Sequence, residues 1–451
     1  MYSMTIPEGD TIVPFIHNNK SERKWWFDGS RFWTPDEKGN WITLDKSSFQ
    51  TYLLKNPFTT FRGFKEEGEA ISPAEVECLD TMINSRVAYA GPLSGWKRGI
   101  QHFDDTLALI TKSPKLIEPA EGDFSTILSF LSGLLGHEEQ QLDHVLYWIK
   151  DTLDALYEGR PRLGLALVLA GEAGCGKTLL KEILRELFGG REVYPYAYMM
   201  GKDNFNEELT QAPMWVVDDE AADTTLQGRI RFGAEIKKVV ANSAMRCRGM
   251  HQTAVTLNPL RRLVICVNVE PDRLLVLPPI DDDIADKILI TKCVQPCPWP
   301  MPMTTHEEKV AFFDKVRDEF PALIHHLRHH VDEIPRDFRG RFGVKHYHNP
   351  EICDSLMEIS PEMQLAEQIE RVLFGRTGIP ITEWKGSTNE LIRIMHSDDS
   401  PLASYEKAKI PAAAWIGRRL GKLSARFPGR YELKKTENKN VWTIKPMDGA
   451  Q

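Results

Sequence analysis

A chain of 451 residues is too long for one ordinary hydrophobic core, and its length predicts about three domains. Hydrophobic residues make up 42% and charged residues 27%, which is typical of a globular protein and excludes a fibrous or low-complexity chain. Sixty-four acidic residues against 56 basic ones give a net charge of −8, so the chain is not a uniformly basic nucleic-acid coat. Any nucleic-acid contact must come from a local basic patch.

Cysteine usage and the N-terminal sequence predict a cytoplasmic protein. The seven cysteines are odd in number and scattered, and they include no Cys-x-x-Cys pair, which favours a reducing compartment. The N-terminus lacks the basic and then apolar layout of a signal peptide. No stretch approaches the about 18 apolar residues of a transmembrane helix, so no membrane association is expected.

The first 160 residues are predicted to form two small domains. Residues 1–66 are interpreted as a β-rich domain, because aromatic segments flank a tight-turn signal at Asp28-Gly29. Their tryptophans either fill the core or stack on bases, and core filling is the simpler interpretation. Residues 67–160 are predicted to be a helical domain, because apolar residues recur at spacings of three and four around 142–156.

Residues 161–298 alternate predicted strands and helices and carry the most specific motif. An apolar strand leads into Gly171–Thr178, which fits the phosphate-loop pattern GxxxxGK[ST], and an amphipathic helix follows. Glycines let main-chain N–H groups turn toward phosphates, Lys177 reaches the β- and γ-phosphates, and the Thr178 hydroxyl helps to hold the metal. ATP and Mg²⁺ are therefore the expected cofactors. The residues expected around the phosphates are Gly171, Glu172, Ala173, Gly174, Cys175, Gly176, Lys177, Thr178 and Leu179.

Two further predicted strands of this region end in polar side chains. The apolar run 214–217 is followed by Asp218, Asp219 and Glu220, and a later apolar strand ends in Asn268. Beside a phosphate loop, one carboxylate orients Mg²⁺ and the next polarises the attacking water. We assign Asp218 to the metal, Asp219 to the base, Glu220 as the alternative base, and Asn268 to the water. The alternatives are an acidic helix N-cap and a turn-starting asparagine.

The compact spacing of these motifs resembles that of superfamily 3 helicases. The loop, the acidic strand and the Asn-tipped strand lie within 98 residues. This arrangement is similar to the AAA+ ATPases of small DNA viruses and of phage, plasmid and poxvirus-type primase-helicases. Flanking segments that begin at Gly91, Thr111 and Trp384 extend the resemblance over residues 85–445. No primase catalytic domain is visible, which leaves room for a separate primase or polymerase partner.

The resemblance implies an α/β fold with an AAA+ core and a parallel sheet. In the family this core self-associates into a ring, usually a hexamer, with ATP between subunits and single-stranded or forked DNA in a central pore. A β-hairpin lines the pore, and residues 245–257 fit that hairpin. Arg246, Arg248 and His251 would then contact the DNA backbone without reading its sequence. The alternative is a solvated hairpin.

The sequence departs from the family at the trans-acting arginine, which usually follows the Asn-tipped strand. Residues 280–290 contain only one cation, Lys287. Three alternatives stay open. Lys287 or Arg273 serves instead, Arg229 or Arg231 comes from across the subunit interface, or turnover is slow.

The last third of the chain is predicted to form a helical connector at 299–358 and a winged-helix-like domain at 359–451. The final 51 residues carry eleven Lys/Arg against four Asp/Glu. One predicted helix presents Arg418, Arg419 and Lys422, which either bind DNA phosphates or dock a protein.

A zinc site is one interpretation of the histidine-rich segment at 325–330 and the two cysteines that precede it. Cys293 and Cys297 have a Cys-x3-Cys spacing, which suits zinc poorly, and no matched second pair follows. The sequence therefore does not favour a metal other than Mg²⁺.

On this resemblance we expect an ATP-dependent DNA helicase or translocase of a mobile genetic element or phage, acting as an oligomeric ring in DNA replication. The alternative is an AAA+ ATPase that loads or remodels a protein partner without unwinding DNA. The missing arginine and the acidic net charge favour that alternative.

Overall fold

The computed structural model describes residues 25–55, 71–103, 106–138, 140–218, 223–249, 254–331, 333–358, 360–375, 382–435 and 440–446. The strands within these residues are β1 (Trp26–Phe27), β2 (Phe32–Pro35), β3 (Trp41–Leu44), β4 (Tyr89–Gly91), β5 (Gly99–Phe103), β6 (Thr106–Ile110), β7 (Ala166–Gly171), β8 (Glu192–Val193), β9 (Met214–Asp218), β10 (Met245–Cys247), β11 (Val255–Leu257), β12 (Arg262–Asn268), β13 (Ile288–Cys293), β14 (Arg339–Gly340), β15 (Gly343–Val344), β16 (Trp384–Gly386), β17 (Tyr431–Lys435) and β18 (Asn440–Ile444). The α-helices are α1 (Lys46–Lys55), α2 (Pro73–Asn84), α3 (Ser125–Leu135), α4 (Gln141–Glu158), α5 (Lys177–Leu187), α6 (Tyr196–Met199), α7 (Leu226–Ala241), α8 (Pro271–Leu274), α9 (Asp282–Ala285), α10 (His306–His325), α11 (Pro350–Glu358), α12 (Pro361–Ile369), α13 (Thr388–His396), α14 (Ser404–Ala408) and α15 (Ala413–Arg426).

The chain divides into two compact units. The first comprises residues 1–114 and 244–259, and the second comprises 115–243 and 260–451. Mixed α and β structure around a parallel five-stranded sheet confirms the predicted α/β fold class. No helix of the described residues combines the length and the apolar character that a bilayer span requires.

The first unit begins with the antiparallel sheet β1-β2-β3, against which α1 and α2 pack. Phe32 stacks on Phe49, with ring centroids 4.3 Å apart, and Leu53 is buried beside them. Trp26 is buried, whereas Trp25 is partly buried and donates its indole N–H to Glu77 at 2.8 Å. These tryptophans therefore serve the core, as the simpler interpretation expected.

A second sheet of the first unit corrects the prediction of an all-helical segment at 67–160. Strand β6 lies between β4, to which it is parallel, and β5, to which it is antiparallel. The predicted hairpin is present as β10-β11, and Cys247 and Leu257 on it pack with Tyr89 and Ala108 of this sheet. The apolar spacing around 142–156 corresponds to α4, and the helical prediction is wrong for residues 89–110, which contain β4 to β6.

The second unit is built around a parallel sheet in the order β13-β7-β12-β9-β8. Strand β7 is buried at all six residues and lies between two other buried strands, which explains its uninterrupted apolar sequence. The side chain of Arg262, at the start of β12, is fully buried. Its guanidinium donates to Asp151 Oδ2 on α4 at 2.8 Å, so an ion pair joins the helical layer to the sheet.

The C-terminal part of the second unit has the predicted winged-helix-like composition. Helices α12 to α15 surround a sheet in the order β16-β18-β17. Ile416, Leu420 and Leu423 form the buried stripe of α15 and share a core with Tyr431 and Trp442 of the sheet. The opposite side of α15 carries the basic residues, as the spacing predicts.

Candidate nucleotide site

The phosphate loop connects the buried strand β7 to helix α5. Gly174 and Gly176 have φ angles of +78° and +116°, which side-chain-bearing residues rarely adopt. At Gly171 a Cβ atom would lie only 2.4 Å from the Cys293 carbonyl oxygen and 2.8 Å from Cys175 Sγ. The three glycines are therefore required by the path of the backbone, and Cys175 is buried beneath the loop.

Lys177 is folded into the loop that precedes it. Its ammonium donates to the main-chain carbonyls of Gly171 at 2.7 Å and Glu172 at 2.8 Å, and the residue is only 8% exposed. Thr178 is exposed at the first turn of α5. A cation and the N-terminus of a helix thus meet at one place, which is the electrostatic arrangement that a phosphate group requires.

Helix packing supports the loop from below. A Cβ atom on Gly176 would lie 3.3 to 3.4 Å from Leu134 Cδ1, Phe130 Cε2 and Trp299. Glu319 of α10 accepts a hydrogen bond from Ile127 N at 2.9 Å, in the first turn of α3. Helix α3 is therefore fixed at its N-terminus and presses apolar side chains against the loop.

The carboxyl ends of the central strands bring the predicted polar residues to the same edge of the sheet. Asn268 on β12 is in register with Gly171 on β7, and Asp218 on β9 is in register with Cys266 on β12. Asn268 is half-buried. Asp219 and Glu220 lie outside the described residues, so their assignments stay predictions.

Asp218 has a partner that the sequence analysis missed. Lys181 is only 6% exposed, and its ammonium lies 3.1 Å from Asp218 Oδ2. Burial acts to lower the pKa of Lys181, but the hydrogen bond and the charge of Asp218 outweigh it and raise that pKa. The available signal was that Lys181 lies four residues after Lys177, on the same face of α5.

The four candidates for the trans-acting cation differ in exposure. Arg229 is buried and donates its Nε–H to the Leu277 carbonyl at 2.8 Å, which ties it to its own chain. Lys287 donates to the Asp283 carbonyl at 2.8 Å and is largely covered. Arg231 and Arg273 are exposed, and Arg273 lies on α8, directly after the Asn-tipped strand.

The candidate DNA contacts fall into two groups. Arg246 is exposed on β10, and Arg248 is exposed just after it, on the side opposite Cys247, whereas His251 lies outside the described residues. On α15, Arg418 is exposed and stacks on Trp415, with its guanidinium carbon 4.8 Å from the ring centroid.

The other two candidate DNA contacts on α15, Arg419 and Lys422, lie near Glu362 of α12. Lys422 Nζ lies 3.3 Å from Glu362 Oε1. Arg419 is half-buried, and burial lowers its pKa despite the nearby Glu362. A cleft of about 190 Å³ separates this face from α7, and Lys237, Glu362 and Arg418 line it. Part of the charge of α15 is therefore close to an acidic residue of the same unit.

Comparisons with known proteins agree with this fold. The family described as "Family of unknown function (DUF5906)" matches residues 169–283, which span the phosphate loop, β9 and β12. No curated protein matches the chain. The apo structure of the NrS-1 C-terminal region (305–718) is 13% identical, with a TM-score of 0.55, and the match covers 94% of this chain and 96% of that one.

Two other structures match most of this chain. The A form apo structure of the NrS-1 C-terminal region has a TM-score of 0.53 at 12% identity, with the same coverage of both chains. A structure described as "SCCmec type IV Cch - active helicase" covers 92% of this chain and 90% of that one at 10% identity, but its TM-score of 0.41 is too low to support an argument. The NrS-1 likeness establishes a shared fold.

Proposed function

We propose that this protein is an ATP-dependent DNA helicase or translocase of a mobile genetic element or phage that works as an oligomeric ring in DNA replication. One observation carries the proposal. Lys177 lies against a loop whose path requires glycines, and Asn268 is in register with Gly171 at the start of that loop. The sequence resemblance to superfamily 3 helicases and the fold shared with the NrS-1 region support it.

The loop binds the triphosphate of ATP through its own main chain and Lys177. When ATP binds, the Lys177 ammonium donates its hydrogen bonds to phosphate oxygens instead of the carbonyls of Gly171 and Glu172. The ammonium stays in the same place, and only its hydrogen-bond acceptors change. The main-chain N–H groups at the start of α5 orient the β-phosphate. Binding therefore needs little rearrangement of the loop.

The donor set fits Mg²⁺, because the Thr178 hydroxyl and the Asp218 carboxylate offer oxygen ligands at the loop and at the end of β9. When bound, Mg²⁺ neutralises charge on the phosphate oxygens. Lys181 holds Asp218 in place through their ion pair. Asp219, or Glu220 if the register is shifted by one, accepts the proton of the attacking water, and Asn268 orients that water.

The second candidate function is an ATPase that loads or remodels a protein partner. The specific observation in its favour is that Lys422 pairs with Glu362 and Arg419 is half-buried, so α15 offers DNA fewer free cations than its sequence suggests. The exposed Arg273 and Arg231 are the better-placed candidates for a trans-acting cation in either function.

One experiment separates these functions. ATP turnover is measured with and without single-stranded DNA, alongside strand displacement on a forked duplex. DNA-stimulated turnover with displacement supports the helicase. Turnover that ignores DNA supports the remodeller, and the absence of turnover in both arms contradicts the proposed enzyme.

A further inference from the structure

Helix α10 ends in an unusual turn that changes which histidines face each other. After His325 the chain forms a π-helical turn, His326–His330, in which Val331 N donates to the His326 carbonyl at 3.2 Å. In a regular α-helix, side chains five residues apart diverge by about 140°. The wider turn instead places the rings of His325 and His330 with centroids 5.3 Å apart. Such turns are frequent at functional sites.

A loop from elsewhere in the second unit brings a carboxylate to these rings. The loop is fixed on α10 because Ala120 N donates to the Pro321 carbonyl at 3.2 Å. Close packing continues at Gly122, where a Cβ atom would lie 3.3 Å from Ala322 Cβ. Glu121 lies between these two contacts, so its backbone is held beside α10 while its side chain stays exposed.

Three potential ligand atoms therefore converge. One carboxylate oxygen of Glu121 and one ring nitrogen each of His325 and His330 all lie within 4.8 Å of one another. His326 is not part of this group, because its ring packs on Phe124 with centroids 5.0 Å apart.

We propose that Glu121, His325 and His330 bind a divalent transition metal of the Zn²⁺ class. Two imidazoles and one carboxylate suit zinc or cobalt, whereas Mg²⁺ and Ca²⁺ require mainly oxygen ligands. Ligand atoms of a tetrahedral zinc ion lie about 3.3 Å apart, so small rotations of the exposed Glu121 and His330 side chains complete the geometry. The fourth position is left to water.

This site differs from the zinc site that the sequence analysis weighed and did not favour. Cys293 is buried at the end of β13, where it packs against Gly171 and not against the histidines. The third ligand is instead Glu121, which is 204 positions before His325 and has no sequence spacing that points to it.

The proposed metal would fasten the loop that leads into α3 to the end of α10. Helix α3 carries Phe130 and Leu134 against the phosphate loop at Gly176. The metal is therefore a structural clamp on the layer that supports the loop, and its main effect is on stability. Each protein ligand adds to the coupling between metal binding and folding.

The test uses the untagged full-length protein after chelator treatment, titrated with Zn²⁺ by calorimetry and with Co²⁺ by visible absorption, in excess Mg²⁺. We expect one equivalent of metal per chain and a rise in melting temperature. His330→Ala and Glu121→Gln should each weaken binding by at least about tenfold and abolish the rise.

The matched control is His346→Ala, which removes an exposed histidine whose ring lies 5.2 Å from that of His348, another histidine pair outside the site. It should bind metal like the original protein. The metal-free variants should melt like the metal-free original, because Glu121 and His330 are exposed. Absence of saturable binding, or equal affinity in all variants, would overturn the proposal. ATP turnover is not the readout, so failure here leaves the proposed ATPase untouched.

Discussion

The phosphate loop and helix α15 both carry a lysine that the sequence marks as functional. The partners of Lys177 are close to it in the sequence, whereas the partner of Lys422 is distant. In the loop, Lys177 bonds to carbonyls five and six residues earlier, so the motif builds its own site. In α15, Lys422 meets Glu362 from another helix. A motif whose side chain bonds to its own backbone predicts the local geometry, whereas the partner of a charge pattern is decided by tertiary packing.

The largest effect should come from the loop. Lys177→Ala removes the ammonium that donates to main-chain carbonyls in this structure and, in the proposal, to phosphate oxygens when ATP binds. We therefore expect ATP turnover to fall by at least about a thousandfold. The measurement is phosphate release at saturating ATP. Lys202→Ala, which removes an exposed lysine of the same unit, is the control and should turn over normally. Normal turnover in Lys177→Ala would remove the claim that this loop is the active site.

The next effect concerns the acidic residues after β9. Asp219→Asn should still bind ATP, but its rate of ATP hydrolysis should fall by about a hundredfold or more, because the amide cannot accept the proton of water. Binding is measured by calorimetry and turnover by phosphate release. If Glu220→Gln alone has this phenotype, the base is one residue further along the chain, and the assignment of Asp219 is wrong.

A smaller effect is expected at the ion pair that the sequence analysis missed. Lys181→Met should lower turnover by about tenfold, because Asp218 loses the contact that orients it. In the folded state the pKa of Lys181 is raised above its ordinary value of 10.5. The ion pair therefore stabilises the fold fully below pH 10.5, and this stabilisation is lost as the pH rises through the raised pKa of the folded state.

Thermal melts of the original protein and Lys181→Met should therefore differ by a constant amount from neutral pH to near 10.5 and converge above it. A difference that vanishes already at neutral pH would show that the ion pair does not stabilise the protein.

The smallest expected effect concerns the two basic regions, the hairpin β10-β11 and helix α15. Arg246→Ala with Arg248→Ala should weaken binding of single-stranded DNA by about tenfold and reduce its salt dependence, because both residues are exposed on the hairpin. Lys422→Ala should change DNA affinity by less than about twofold, since this lysine already forms an ion pair with Glu362. Fluorescence anisotropy at several salt concentrations measures both. The reverse ranking would make α15 the DNA-binding element.

Sequence reasoning reached those features whose cause is local. The phosphate loop, the hairpin β10-β11 and the apolar stripe of α15 each follow from spacing or from a glycine that the backbone requires. The pairing of Lys181 with Asp218, the strands β4 to β6 and the meeting of Glu121 with His325 depend on contacts between distant segments. Such contacts leave no periodic signal in a single sequence.

Calorimetric titration of the purified protein with ATP and Mg²⁺ tests directly whether the phosphate loop is a nucleotide site. We expect saturable binding of one nucleotide per chain. Lys177→Ala should abolish this binding, while its melting temperature stays close to that of the original protein. Absence of binding at millimolar ATP, or undiminished binding in Lys177→Ala, would contradict the nucleotide-site assignment.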